Sequence, residues 1–281
     1  MLSLKPLDRQ FCYGGEQLRY QHDSSVLNCT MNFSIYLPPQ AKQGVVPLLY
    51  WLSGLSCSDQ NFVQKAGAQR YAAEYGIAIV CPDTSPRGKN VPDDPEGHWD
   101  FGLGAGFYVN ATESPYDTNY RMYEYIVDEL PALINSQFPV NINRISISGH
   151  SMGGHGAITI ALKNPESYKS ISAFAPICSP LNCPWGDKAL NNYLGNNRNN
   201  WLPYDSYKLI QQSKDQLPLL VDQGLADEFL EEQLKPELLE QACAQVKRPL
   251  ILRRHAEYDH SYFFIASFIG EHMAFHSLHL N

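Results

Sequence analysis

The chain has 281 residues, a length that fits one large α/β domain or two ordinary ones. Apolar residues make up 44% and charged residues 18%, a balance that excludes a disordered chain or a coiled coil. With 21 basic against 29 acidic residues the net charge is −8, which excludes nucleic acid and an anionic membrane surface as partners.

The opening segment, MLSLKPLDRQFCYGG, lacks a basic stretch followed by an apolar one, so no secretory signal is expected. No apolar run approaches the roughly 18 residues of a membrane span. The seven cysteines, at 12, 29, 57, 81, 178, 183 and 243, include no C-x-x-C, which excludes a zinc ribbon and a thioredoxin motif. Unpaired-looking cysteines in a long chain of this kind fit a reducing, cytoplasmic setting. The sequons beginning at Asn28, Asn32 and Asn110 carry no meaning there.

Along the chain, residues 30–37 alternate apolar with polar, the pattern of a half-buried antiparallel strand, and Pro38-Pro39 ends it. Residues 45–52 (VVPLLYWL) are almost continuously apolar, as in a strand covered on both faces. A Gly-Ser loop and a helix over 62–75, stopped by Gly76, come next. Strand 77–81 precedes a long Gly- and Pro-rich loop, 83–115, of a length that points to function. A helix over 119–137 is expected to kink or break near Pro131. Strand 144–148 runs through a turn into helix 153–163, and strand 169–174 into a second long loop, 176–203. Helix 204–213, strand 217–221, helix 229–246, strand 249–254 and a terminal helix from 261 complete the chain. Alternation of strands and helices predicts a mostly parallel, doubly wound α/β sheet with antiparallel strands at its start, in one domain over 1–281.

The segment Gly149-His150-Ser151-Met152-Gly153-Gly154 matches G-x-S-x-G. Between a β-branched strand and a helix, that pattern sets a serine on a tight turn with its hydroxyl above the sheet. Small neighbours are required there, and the helix N-terminus supplies free N–H groups. His150 and His155 are too constrained to act as a base and read as packing or turn residues. In this architecture the acid and then the histidine follow the serine in chain order. Asp227, in the loop after strand 217–221, is the favoured acid. Asp222 at the strand end is the runner-up, and Glu228 suits the first turn of a helix. His260, just before the terminal helix, is favoured over His255 as the base. The oxyanion donors expected are the amides of Met152 and of Leu55, with Gly54 or Ser56 as alternatives to Leu55.

Gly102-Leu103-Gly104-Ala105-Gly106 lacks dinucleotide spacing and reads as structural glycines, so no cofactor is expected. His272, His276 and His279 share a helical face but lack a metal-binding motif, and a solvated face is expected rather than a metal. Cys57, beside the proposed oxyanion loop, is either an inert buried thiol or close to substrate.

The loop Leu52-Ser-Gly-Leu-Ser-Cys57-Ser-Asp59, the stretch from Asp100 to Thr112, the serine turn, the segment from Asp222 to Leu230 and Asp259-His260-Ser261-Tyr262 together resemble the S-formylglutathione hydrolase (esterase D) family of α/β-hydrolases. The stretch 100–112 is the most specific, since generic serine hydrolases lack it. The resemblance implies a metal-free cytoplasmic thioesterase that converts S-formylglutathione to formate and glutathione. It implies a homodimer that also accepts simple esters. It puts the triad on Ser151, Asp227 and His260, the oxyanion donors on Leu55 and Met152, a tryptophan near the pocket at Trp185 and a nearby thiol at Cys57. Asn110 stands where the family often has Asp. Arg87 and Lys89 are candidate partners for the substrate's carboxylates. A general short-chain carboxylesterase and a non-catalytic interaction protein on the same fold are the alternatives.

Overall fold

A computed structural model describes residues 4–280. Residues 1–3 and 281, the ends of the expected domain and the start of the segment read for a signal, lie outside the described residues. The chain opens with an antiparallel meander: β1 (Asp8–Cys12), β2 (Gly15–Ser24) and β3 (Cys29–Leu37). Then follow β4 (Val46–Leu52), α1 (Asn61–Lys65), α2 (Ala68–Tyr75) and β5 (Ala78–Pro82). After the long loop come α3 (Met122–Glu124), a π turn (Tyr125–Glu129) and α4 (Leu130–Gln137). Next are β6 (Val140–His150), α5 (Met152–Lys163) and β7 (Ile171–Phe174). The last part comprises α6 (Pro184–Leu194), α7 (Ser206–Gln212), β8 (Leu219–Gly224), α8 (Pro236–Val246), β9 (Ile251–His255) and α9 (Tyr262–Leu280).

All nine strands among the described residues join one sheet in the order β1-β2-β3-β5-β4-β6-β7-β8-β9. The pairs from β5 onward are parallel, while β1, β2 and β3 pair antiparallel and β3 meets β5 antiparallel. This is the mixed, mostly parallel α/β sheet expected. Every residue of β4 is buried, as its unbroken apolar run requires. The β1–β2 hairpin was not expected from sequence. It turns on Tyr13 (φ 50°) and Gly14 (φ 75°), with Cys12 paired to Gly15. A two-residue turn with both φ positive favours Asn-Gly, and a tyrosine in the first place hides it.

Several expected boundaries shift for local reasons. The helix foreseen over 62–75 divides into α1 and α2 at Gly67, whose φ of 68° no α-helix accommodates. The segment foreseen as helix 119–137 starts at Met122 and passes through the π turn at 125–129, just before Pro131. Pro131 lacks an N–H, and the wider turn accommodates that loss. The loop foreseen over 176–203 contains α6, which starts on Pro184 and is N-capped by the Cys183 thiol, 3.4 Å from the Gly186 amide.

The helices cover both faces of the sheet. On β7 the Cβ position of Gly154 in α5 faces Ala173, whereas α9 meets Ser170 and Ser172. Neighbouring strand residues point to opposite faces, so α5 and α9 lie on opposite sides. This corrects the solvated face expected for His272 and His276, while His279 is half-exposed. His272 and His276 are fully buried. His276 Nδ1 and Nε2 each lie 2.8 Å from the hydroxyls of Ser170 and Ser172, and His272 Nδ1 lies 2.9 Å from Ser172 Oγ. The helix is apolar nearly all round, so His272 and His276 are drawn inward, where serine hydroxyls meet both nitrogens of His276 and Nδ1 of His272.

Candidate active site

Strand β6 ends at His150 and the chain turns on Ser151, with φ 57° and ψ −120°, into α5. This is a sparsely populated conformation for a residue with a side chain, costing on the order of 1–3 kcal/mol. The Ser151 amide donates to Phe174 O (2.9 Å), and its carbonyl accepts from His155 (3.0 Å) and Ile177 (3.3 Å). Those bonds hold the turn. A Cβ at Gly149 would lie 2.2 Å from Gly153 O, and one at Gly153 only 2.0 Å from Leu52 O. Only glycines allow strands and helix to close this tightly around the serine.

The loop after β4 approaches the same point. At Gly54 a Cβ would sit 3.0 Å from Ser151 Cβ. Ser56 N–H is committed to Gly104 O (2.9 Å). That leaves the Gly54 and Leu55 amides, neither with an acceptor among the described residues. The 83–115 loop buttresses this turn. Thr84 Oγ1 and Arg87 Nη2 both donate to Cys57 O, Tyr108 donates to Ser53 O (2.9 Å), and Ser85 Oγ accepts from Gly104 N (2.7 Å). The glycines at 102 and 104 have positive φ (74° and 84°), the structural use expected of them. Phe107 and Tyr108, in the most family-specific stretch, are fully buried with positive φ of 47° and 52°. Asn110 Oδ1 accepts from Glu124 N (2.9 Å), so the residue that departs from the family pattern steadies the start of α3 rather than the serine.

Two later loops bring Asp227 and His260 together. A Cβ at Gly224 would lie 2.3 Å from Tyr258 O, and the Leu225 and Ala226 amides donate to His255 O and Tyr258 O (both 2.9 Å). The carboxylate of Asp227, side chain fully buried, accepts from the Phe229 amide on Oδ1 (2.9 Å). Its Oδ2 lies 2.6 Å from His260 Nδ1. The His260 ring sits between His150, at 4.4 Å between centroids, and the edge of Phe229, at 5.0 Å. Burial, reinforced by His260, pushes the His150 pKa well down, so His150 is a neutral wall.

Asp222 is elsewhere in the network. Arg253 clamps both its oxygens at 2.6 Å, and His255 and His272 each lie 3.3 Å away. Burial alone would raise its pKa, but the bonds from His272 and Arg253 outweigh it and hold the carboxyl below the usual range. Glu228 is exposed beside Asp227.

Ser151 and His260 line one cavity of about 190 Å³ with Gly54, Leu55, Ser56, Cys57, Trp99, His150, Trp185 and Phe229. Cys57 is therefore on its wall, and burial raises the thiol's pKa, against smaller opposing effects of Tyr262 and Lys65. Trp185 packs on Phe229 (4.8 Å) and, edge to face, on Trp99 (5.5 Å). Trp99 carried no sequence signal, standing alone in a Gly- and Pro-rich loop; Phe229 fell in the segment from Asp222 to Leu230 that carries the resemblance, but no role in the site was assigned to it. Arg87 is not free to meet a substrate carboxylate. It pairs with Asp83 (3.0 Å) besides holding Cys57 O, and Lys89 is an exposed residue outside the cavity lining. Asp94, His98 and Asp100 lie close enough to resemble a metal cluster, but the Lys188 ammonium is bound between Asp94 and Asp100 at 2.8 and 2.5 Å.

A doubly wound sheet with a strained serine between strand and helix, and an Asp–His pair on later loops, defines the esterase class of α/β-hydrolase folds. The family described as putative esterase matches residues 24–275. S-formylglutathione hydrolases of Rattus norvegicus and Mus musculus are 53% and 52% identical to it, each over 100% of both chains. A solved S-formylglutathione hydrolase from Agrobacterium tumefaciens superposes with a TM-score of 0.96 at 46% identity, covering 100% of both chains. The chain belongs to the S-formylglutathione hydrolase family of esterases.

Proposed function

We propose that the protein hydrolyses S-formylglutathione to formate and glutathione, with Ser151 as nucleophile, His260 as general base and Asp227 as the group that orients it. The observation that carries this reading is the 2.6 Å contact of Asp227 Oδ2 with His260 Nδ1, at a cavity that His260 shares with the strained Ser151. That contact fixes the tautomer with the proton on Nδ1 and leaves Nε2 free to accept the serine proton. Ser151 Oγ adds to the formyl carbon, and the oxyanion is received by the Leu55 and Met152 amides. Two such donors each contribute about 3 kcal/mol to lowering the barrier. Collapse breaks the C–S bond, and the His260 imidazolium protonates the departing thiolate. Water, deprotonated by His260, then attacks the formyl-serine and releases formate. Trp99, Trp185 and Phe229 exclude bulk water around the histidine and narrow the cavity to a small acyl group.

A single domain is part of this reading, supported by one sheet that takes in all nine strands. So are a homodimer and a cytoplasmic location. The first rests on the resemblance and the second on cysteine usage; all seven cysteines are free thiols, and among the described residues no helix is long and apolar enough to cross a membrane.

The test is kcat/KM for S-formylglutathione against that for a short aryl acetate. A clear preference for the thioester is expected. Comparable values, or a preference for the aryl ester, would make the protein a general carboxylesterase.

A further inference from the structure

The cavity around Ser151, at about 190 Å³, holds a formyl thioester but not a tripeptide, since sites for molecules of that size run to roughly 300 Å³ or more. The glutathione must extend beyond it, and the charges on its two flanks differ. Beyond Trp99 and Trp185 lie Asp94, Glu96, Asp100 and Asp187, answered by Lys188 and Arg198. That side is acidic and repels a tripeptide of net negative charge. Across Cys57 the surroundings differ. Tyr262 is a neighbour of the Cys57 thiol, and its ring stands 6.0 Å from that of His150. The Lys65 ammonium lies 5.6 Å from the centroid of the same ring. Lys65, Ser261, Tyr262 and Phe263 enclose a groove of about 610 Å³, with Phe263 standing 85% exposed. Lys65 has no carboxylate partner among the described residues. Asp59, the nearest acid to Lys65 along the chain, is held by Arg19, and Asp259, beside the groove, turns its Oδ1 to the amide and hydroxyl of Ser261.

We propose that this groove receives the glutathione moiety and that Lys65 pairs with one of its carboxylates, making Lys65 a determinant of specificity for the glutathione thioester. The inference rests on the functional reading above. The Phe263 ring supplies an apolar wall for the cysteinyl methylene and peptide backbone. Lys65 is exposed and does not line the cavity of Ser151 and His260, so it acts on binding and leaves the chemical step alone.

The experiment is steady-state kinetics of the full-length protein and of Lys65→Glu, Lys65→Ala and Lys65→Arg, with S-formylglutathione and with a neutral aryl acetate. For S-formylglutathione, KM is expected to rise roughly three- to tenfold in Lys65→Glu, less in Lys65→Ala, and to return near its original value in Lys65→Arg. The kcat for the thioester and both constants for the aryl acetate are expected to stay put. The unsubstituted enzyme's KM should rise with added salt, and that dependence should weaken in Lys65→Ala. Unchanged KM in Lys65→Glu would overturn the inference, as would parallel losses on both substrates, which mark a structural role. Failure of the unsubstituted protein to turn over S-formylglutathione would instead overturn the functional reading on which the inference stands.

Discussion

His260 Nδ1 and Asp227 Oδ2 meet at 2.6 Å although they lie 33 residues apart, on loops that follow different strands. The meeting depends on Gly224, where the two loops touch through backbone alone. Asp222, five residues upstream of Asp227, is equally buried but is held by Arg253 on the β8–β9 pair.

Replacing these two aspartates should therefore have different consequences. Asp227→Asn is expected to lower kcat on the order of a thousandfold with little change in KM, because the imidazole loses its required tautomer. Asp222→Asn leaves His272 without its anion and Arg253 with Glu271 alone, and a loss of about 3 kcal/mol in stability with near-normal kcat is expected. Urea denaturation and kinetics on both variants check this. The opposite pattern would exchange the two roles.

The serine turn tolerates no added atom at Gly153, where a Cβ would meet a main-chain oxygen at 2.0 Å. Gly153→Ala should cost more than about 3 kcal/mol or yield insoluble protein. Stability equal to that of the unsubstituted protein in denaturant would show that the turn is not packed this way.

Much of this site was legible in the order of its residues along the chain. The serine lies in a turn with strand before and helix after, and the acid and histidine follow after later strands, so chain order narrowed the acid to Asp222, Asp227 or Glu228 and the base to His255 or His260, and position in the loop favoured Asp227 and His260. What was not legible depended on contacts between distant elements. The β1 strand, Asp8–Cys12, is largely exposed and shows no alternation that a core would impose. His272 and His276 looked like a polar stripe because their partners, Ser170 and Ser172, are about a hundred residues earlier. Arg87 looked available because Asp83 and the Cys57 carbonyl become its partners only when the 83–115 loop folds over the β4 turn. The helix within 176–203 was concealed by Pro180, Pro184 and a cysteine serving as its cap.

Buried histidines set an acid limit to stability. Burial lowers the pKa of His22, His150, His272 and His276, and pushes that of His155 down to about 4. Each binds a proton more readily in the unfolded chain, where the pKa is about 6.5. Their contribution is fully present above that value and is lost as pH falls toward the folded pKa values, at up to about 1.4 kcal/mol per pH unit for each group. The melting temperature should thus fall by about 5 °C or more between pH 7 and pH 5. A flat profile across that interval would mean that these rings are charged, or reach water, in the folded protein.

The central claim is that Ser151 carries the acyl group. Its most direct measurement is labelling with an organophosphate followed by peptide mass spectrometry, on the unsubstituted protein and on Ser151→Ala. The expected result is one stoichiometric adduct on the peptide containing Ser151, loss of thioesterase activity in step with labelling, and no adduct in Ser151→Ala. An adduct on another residue such as Cys57, or labelling and hydrolysis that persist in Ser151→Ala, would contradict it.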